Sequence, residues 1–343
     1  MMSKLFGAIA VVFLLASAAH AQRDNTALLP PVAGRIEGNL YITSDGLSLP
    51  LSIWQADGLA KAVVVAVHGM NDYRLAWASP AAAWTKRGII TYAYDQPGFG
   101  GGGERGRWYG AEPMAAYLAD FVRLVAARHP GVPIFLMGES LGGAVVLLTA
   151  TRPDAPPVAG VVLAAPALWP QSVKGALMHE LSRAGRLLAP DWTFPSSRQR
   201  SPASDDPAVL AQLHADPMVI HETRLDTLAG IVELMDMASR RGPQLRRPVL
   251  LLFGDNDRLV DRKAIARLAE TLPSASLGLY PRGRHLLFRS LDAADPTSDV
   301  AAWVLAPNRP LTSEAGRRGR LCRDYIANPK KCRAAMQKPV NRP

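Results

Sequence analysis

The sequence predicts an α/β fold: a mostly parallel central sheet flanked by helices, interrupted by a helical cap insertion. Three observations predict it. Apolar runs without polar alternation recur at 61–67, 88–94, 134–137, 158–165 and 248–253, as strands covered on both faces do. Stretches with helical spacing separate them. And one serine, in Gly138-Glu-Ser-Leu-Gly142, stands between an apolar strand and an apolar helix.

The chain opens with a leader pattern. Lys4 is followed by an apolar run from Leu5 to Ala18 and by Ala19-His20-Ala21, which fits signal-peptide cleavage after residue 21. The run is too short for a comfortable membrane span. Residues 22–33 read as a linker. Leu40 and Ile42, then Asp45-Gly46, then Leu47, Leu49, Leu51 and Ile53 alternate as a hairpin.

Strand 61–67 ends in His68-Gly69-Met70, and a helix is expected over 76–87. Strand 88–94 ends in Asp95, and Tyr117 to Arg128 is amphipathic. The serine stretch follows, then the strand 158–165. From Trp169 to Leu245 no buried strand is readable. Val173 to Leu188 and Leu228 to Ala238 carry helical spacing, so 169–245 is expected to be a helical cap on a core of 22–168 and 246–306. The sheet resumes at 248–253, followed by a helix over 262–272, a last strand at 276–280 and a closing helix that includes 300–305.

A formal net charge of +10 invites a nucleic-acid reading, but its distribution excludes one. Ten Lys or Arg and two acids lie between 307 and 343, and Lys4 lies in the leader, so the remainder carries +1. Such a tail is expected to be solvated, or else to touch anionic membrane or envelope polymers. It also holds the chain's two cysteines, Cys322 and Cys332, which can pair if the protein is exported to the periplasm or secreted.

Gly-x-Ser-x-Gly after a strand fits a nucleophile elbow. A serine hydroxyl needs a base, and the base needs an acid to hold its tautomer. Of seven histidines, His285 alone follows the last strand and the acidic loop 255–261, whereas His68 sits in a loop where a structural task is expected. Asp255, Asp257 and Asp261 compete for the acid. Asp261 reads as a helix N-cap and Asp257 lies deeper in the loop than Asp255, so Asp257 is selected. Two backbone N–H groups would hold the oxyanion: Leu141, after the serine, and Met70, in the loop after the first parallel strand. This chemistry needs no metal or cofactor.

These pieces resemble the monoacylglycerol lipase/lysophospholipase branch of the α/β-hydrolases, classified with the serine aminopeptidase S33 group. The matching stretches are Thr43-Ser-Asp-Gly-Leu47, His68-Gly69, Asp95-Gln-Pro-Gly-Phe-Gly100, Gly138 to Gly143, Ala165-Pro-Ala-Leu168, Asp216-Pro-Met218, Gly254-Asp-Asn-Asp257 and Gly283-Arg-His285. The resemblance implies Asp257 as triad acid, a lid over the serine, and carboxylic esters, acyl glycerides or lysophospholipids as substrates. Asn71-Asp72-Tyr73 stands where the family often has Gly-Glu-His, Phe99 where Gly-His-Gly has its histidine, and Glu139 where histidine is common. Amide cleavage or acyl transfer on the same triad is the alternative, followed by a non-catalytic envelope protein. The apolar faces of the insertion, with Met178, Met218, Met235 and Met237, either line an acyl channel or pack on the core.

Overall fold

Apolar side chains fill the central strands because helices cover both faces of the sheet. In the computed structural model the described residues are 34–169, 180, 189–195, 202–307, 309–311 and 313–337. The leader, and the helical stretch 173–188 with Met178 except for residue 180, lie outside them.

A nine-stranded sheet has the order β1-β2-β3-β5-β4-β6-β7-β10-β11. Its antiparallel end comprises β1 (Arg35–Glu37), β2 (Leu40–Ile42) and β3 (Ser48–Trp54). The expected hairpin is β2–β3, and β1 adds a strand whose three residues were too few to read. The parallel part comprises β4 (Ala62–Val67), β5 (Ile89–Tyr94), β6 (Ile134–Glu139), β7 (Gly160–Ala164), β10 (Val249–Gly254) and β11 (Ser276–Tyr280). Alternate residues of β4 feed two cores. Val63, Val65 and Val67 face one, and Ala62, Val64 and Ala66 the other.

On the first face lie α2 (Ala111–Arg128), α3 (Leu141–Ala150) and α6 (Arg262–Thr271). On the second lie α1 (Ala78–Thr85) and α7 (Ala294–Leu305), with Trp77, Trp84 and Trp303 buried against the sheet. Helix α2 starts earlier than its sequence reading, at Ala111, and α7, the expected closing helix, contains 300–305 and begins at Ala294.

Between β7 and β10 stand α4 (Pro207–Ala215) and α5 (Leu225–Arg241), the latter with Ile231, Leu234 and Ala238 buried. An antiparallel ribbon, β8 (Thr193–Pro195) with β9 (Glu222–Arg224), corrects the expectation of a purely helical insertion. Its strands are three residues each and largely exposed, so no apolar run announced them.

The tail reading also needs correction. Residues 313–337 are not a solvated chain: they form α8 (Glu314–Cys322) and α9 (Pro329–Gln337). A Cβ on Gly319 would fall 2.0 Å from the Leu277 carbonyl oxygen, so α8 lies directly against β11, at the end of the sheet. Arg318 is buried on Asp255, and Arg323 donates to the carbonyls at the end of α6. Guanidinium groups paired in this way pack where solvated charges would not. The Sγ atoms of Cys322 and Cys332 are 2.04 Å apart, at bonding distance.

Candidate active site

The turn from β6 into α3 is too tight for side chains on either flank. A Cβ on Gly138 would meet the Gly142 carbonyl oxygen at 2.3 Å, and one on Gly142 would meet that of Val67 at 2.2 Å. Ser140 between them has φ 56° and ψ −119°, a strained conformation costing about 1–3 kcal/mol. Backbone bonds hold it there. The Ser140 N–H donates to Ala164 at 3.0 Å, and its carbonyl accepts from Gly143 at 3.0 Å and Ala167 at 2.8 Å. Leu141 is the first residue of α3, where an N–H has no partner within the helix.

A cavity of about 150 Å³ lies over the serine. Ser140, Leu141, Met70 and His285 line it together, with Ile231 and Met235 of α5 and Leu259 and Val260 as apolar wall. The loop after β4 closes against the elbow: a Cβ on Gly69 would lie 3.4 Å from that of Ser140.

Asp257 stands behind His285 and does not line this cavity. One carboxylate oxygen, Oδ1, accepts the N–H groups of Leu259 at 2.7 Å and Val260 at 3.2 Å. The other, Oδ2, lies 2.8 Å from His285 Nδ1. Burial pushes this carboxyl up, but His285 and the two N–H donors outweigh it and hold the acid below the usual carboxylate range. The competing acids are otherwise engaged. Asp255 pairs with Arg262 and Arg318, and Asp261 caps α6 through the Lys263 N–H.

His68 is structural, as its loop position implied. It is fully buried, its Nδ1 donates to the Gly69 carbonyl at 2.8 Å, and its Nε2 accepts the Gln96 N–H at 2.9 Å. Burial pulls its pKa down, which favours the neutral ring. His214 and His221 pack on one another in the insertion, their rings 5.7 Å apart.

Sequence reasoning missed an ionic cluster beside the elbow. Arg289, four residues after His285, pairs with Asp72 at 2.5 Å and reaches Glu139 at 3.5 Å. Both carboxylates are buried, with side chains 1% and 3% exposed. The signal was present as two acids at apolar strand ends, but nothing local named their partner. Tyr73, beside Asp72, donates its hydroxyl to Asp216, and burial together with that bond pushes the phenol up to about 12.

The family model described as serine aminopeptidase, S33, matches residues 58–292. A monoacylglycerol lipase of Mycolicibacterium smegmatis is 27% identical over 267 residues, covering 76% of this chain and 94% of that protein. A monoglyceride lipase of Rattus norvegicus is 27% identical over 281 residues, covering 77% and 88%. Among solved structures, a soluble variant of the Saccharomyces cerevisiae monoglyceride lipase, in complex with a substrate analogue, superposes with a TM-score of 0.67 at 19% identity, over 81% of this chain and 96% of that one.

Proposed function

Because the chain belongs to the serine aminopeptidase S33 family of α/β-hydrolases and is a serine ester hydrolase, we propose that it cleaves acyl glycerides or lysophospholipids through Ser140, His285 and Asp257. The observation that carries this reading is the shared cavity. Ser140 and His285 both line it, and His285 is tied through Nδ1 to Asp257, which fixes the tautomer whose Nε2 can take the serine proton.

In this reading His285 removes the proton of Ser140, whose oxygen attacks the ester carbonyl carbon. The N–H groups of Met70 and Leu141 hold the resulting oxyanion. The carbonyl re-forms, the bond to the alkoxide breaks, and His285 gives its proton to the leaving alcohol. Water then enters by the same route, with His285 as base, and releases the carboxylic acid from the acyl-enzyme. Asp257 keeps the tautomer and stabilises the imidazolium. Ile231, Met235, Leu259 and Val260 offer apolar surface to the acyl chain.

The same proposal includes export. The leader pattern at 1–21 and the pairing of Cys322 with Cys332 support a periplasmic or secreted protein. Exposed Lys330, Lys331 and Arg333 on α9 offer a basic surface to anionic membrane or envelope polymers.

The test is a chain-length series of p-nitrophenyl esters and monoacylglycerols against wild type and Ser140→Ala. Cleavage should vanish in the variant, and undiminished esterase activity there ends the serine assignment.

A further inference from the structure

The residues after Met70 fix the shape of its loop. Asn71 has φ 61°, in the left-handed region that non-glycine residues seldom occupy. Such a conformation persists only where the surroundings impose it. Here the insertion imposes it. The Asn71 carbonyl accepts the N–H of Ile220 at 3.0 Å. Its side-chain amide donates to the Thr223 hydroxyl at 2.8 Å, both residues being buried. Two residues on, the Tyr73 hydroxyl donates to Asp216 Oδ2 at 2.7 Å.

The insertion side of these bonds is itself braced. Asp216 uses its other carboxylate oxygen to accept the Met218 N–H at 2.8 Å. Thr223 sits in β9, paired with Phe194 of β8. The segment 71–73 is therefore tied at three points to 216–223.

We propose that residues 216–223 of the insertion splint the oxyanion loop, and that Thr223 is a positioning residue acting on ester cleavage through Asn71 and the adjoining N–H of Met70. This rests on the reading of Met70 as an oxyanion donor. A donor is effective only within about 2.7–3.1 Å of the site where the oxyanion forms. Without the Thr223 hydroxyl, the Asn71 amide is a buried donor with no acceptor there, and the left-handed turn loses one of its restraints. The backbone dihedrals of Asn71 and Met70 then relax, and the Gly69–Met70 peptide plane, which carries the Met70 N–H, turns with them. The loss falls on the transition state, where the charge develops, and not on the bound ester. The insertion thus belongs to the catalytic apparatus as well as roofing it.

The experiment compares Thr223→Val, which keeps the shape and removes the hydroxyl, with Thr223→Ser, which restores it. Both are assayed for kcat and KM on p-nitrophenyl butyrate, beside Ser140→Ala. Losing a whole oxyanion donor lowers kcat by about 10²–10³-fold. Displacing one should lower it about tenfold or more in the valine variant, with KM within about twofold and the serine variant close to wild type. Wild-type kcat in Thr223→Val, a rise in KM alone, or failure of serine to restore the rate overturns the splint. If Thr223→Val does not fold, Tyr73→Phe carries the same test: a lowered kcat at constant KM supports the splint and an unchanged kcat ends it. Retained cleavage in Ser140→Ala rejects the serine reading itself. Lost cleavage there, with unchanged rates in Thr223→Val, rejects only the splint.

Discussion

Replacing Arg289 with methionine removes one guanidinium from between two buried carboxylates. The arginine side chain is 14% exposed, and those of Asp72 and Glu139 only 1% and 3%. Breaking one side of such a pair costs about 3–5 kcal/mol, because a buried carboxylate loses its counter-charge. The figure should not double for two acids, since Asp72 is in direct contact and Glu139 is at 3.5 Å. In a chain of this length each kcal/mol lowers Tm by about 2 °C, so Arg289→Met should melt about 6–10 °C lower at pH 8. The deficit must also depend on pH in a definite direction. Without the arginine, the two buried acids lose a counter-charge that favours their ionised forms, which penalises the folded state wherever they are ionised. That penalty is complete at pH 8 and shrinks as the acids take up protons at lower pH. Thermal unfolding of both proteins by circular dichroism at pH 8 and pH 5 measures it. A deficit under about 2 °C at pH 8, or one that widens at pH 5, refutes the view of Arg289 as a buried counter-charge.

Asp257→Asn should lower kcat about 10³–10⁴-fold, because the amide favours the wrong imidazole tautomer, and steady-state kinetics on a short p-nitrophenyl ester would reveal it. Because the folded state holds the Asp257 carboxyl below its ordinary value, its contribution to stability is present above about pH 4 and is lost as the pH falls further. The gap in Tm between wild type and Asp257→Asn should therefore narrow from pH 5 to pH 2.5; a constant gap argues against this account. Replacing Cys322 and Cys332 with alanine opens a loop of 10 residues and should cost up to about 3 kcal/mol in the chain-entropy model, read as lost protease resistance at the C-terminus of the oxidised wild type.

The parts of this molecule written as local pattern were legible. Strand β4 was legible because the run from Ala62 to Val67 is apolar at every position, as a strand covered on both faces must be. The elbow was legible because only glycine fits at 138 and 142. Asp257 could be separated from Asp261 because a residue just before a helix reads as a cap, and the Lys263 N–H is indeed bonded to Asp261. What could not be read is pairing between distant segments. Asp72, Glu139 and Arg289 come from three loops or strand ends, and Asn71 meets Thr223 across 152 positions. No periodicity encodes such contacts, and a left-handed Asn71 has no signature distinct from any other loop asparagine.

The tail shows how formal charge misleads when its partners are out of view. Counted along the sequence, ten basic residues behind Pro307 look too repulsive to fold. In three dimensions several of them are already spoken for. Arg318 meets Asp255, Arg320 the Leu311 carbonyl, and Arg323 the carbonyls of Ala269 and Leu272, at the end of α6 where the helix dipole is negative. Asp255 is in turn shared with Arg262, whose guanidinium also reaches the Ile326 carbonyl in the tail. Asp255 lies two residues before Asp257. The basic tail, the acidic loop and α6 therefore form one ionic network, and the loop that carries Asp257 toward His285 is braced from outside by a segment the sequence presents as solvent-bound.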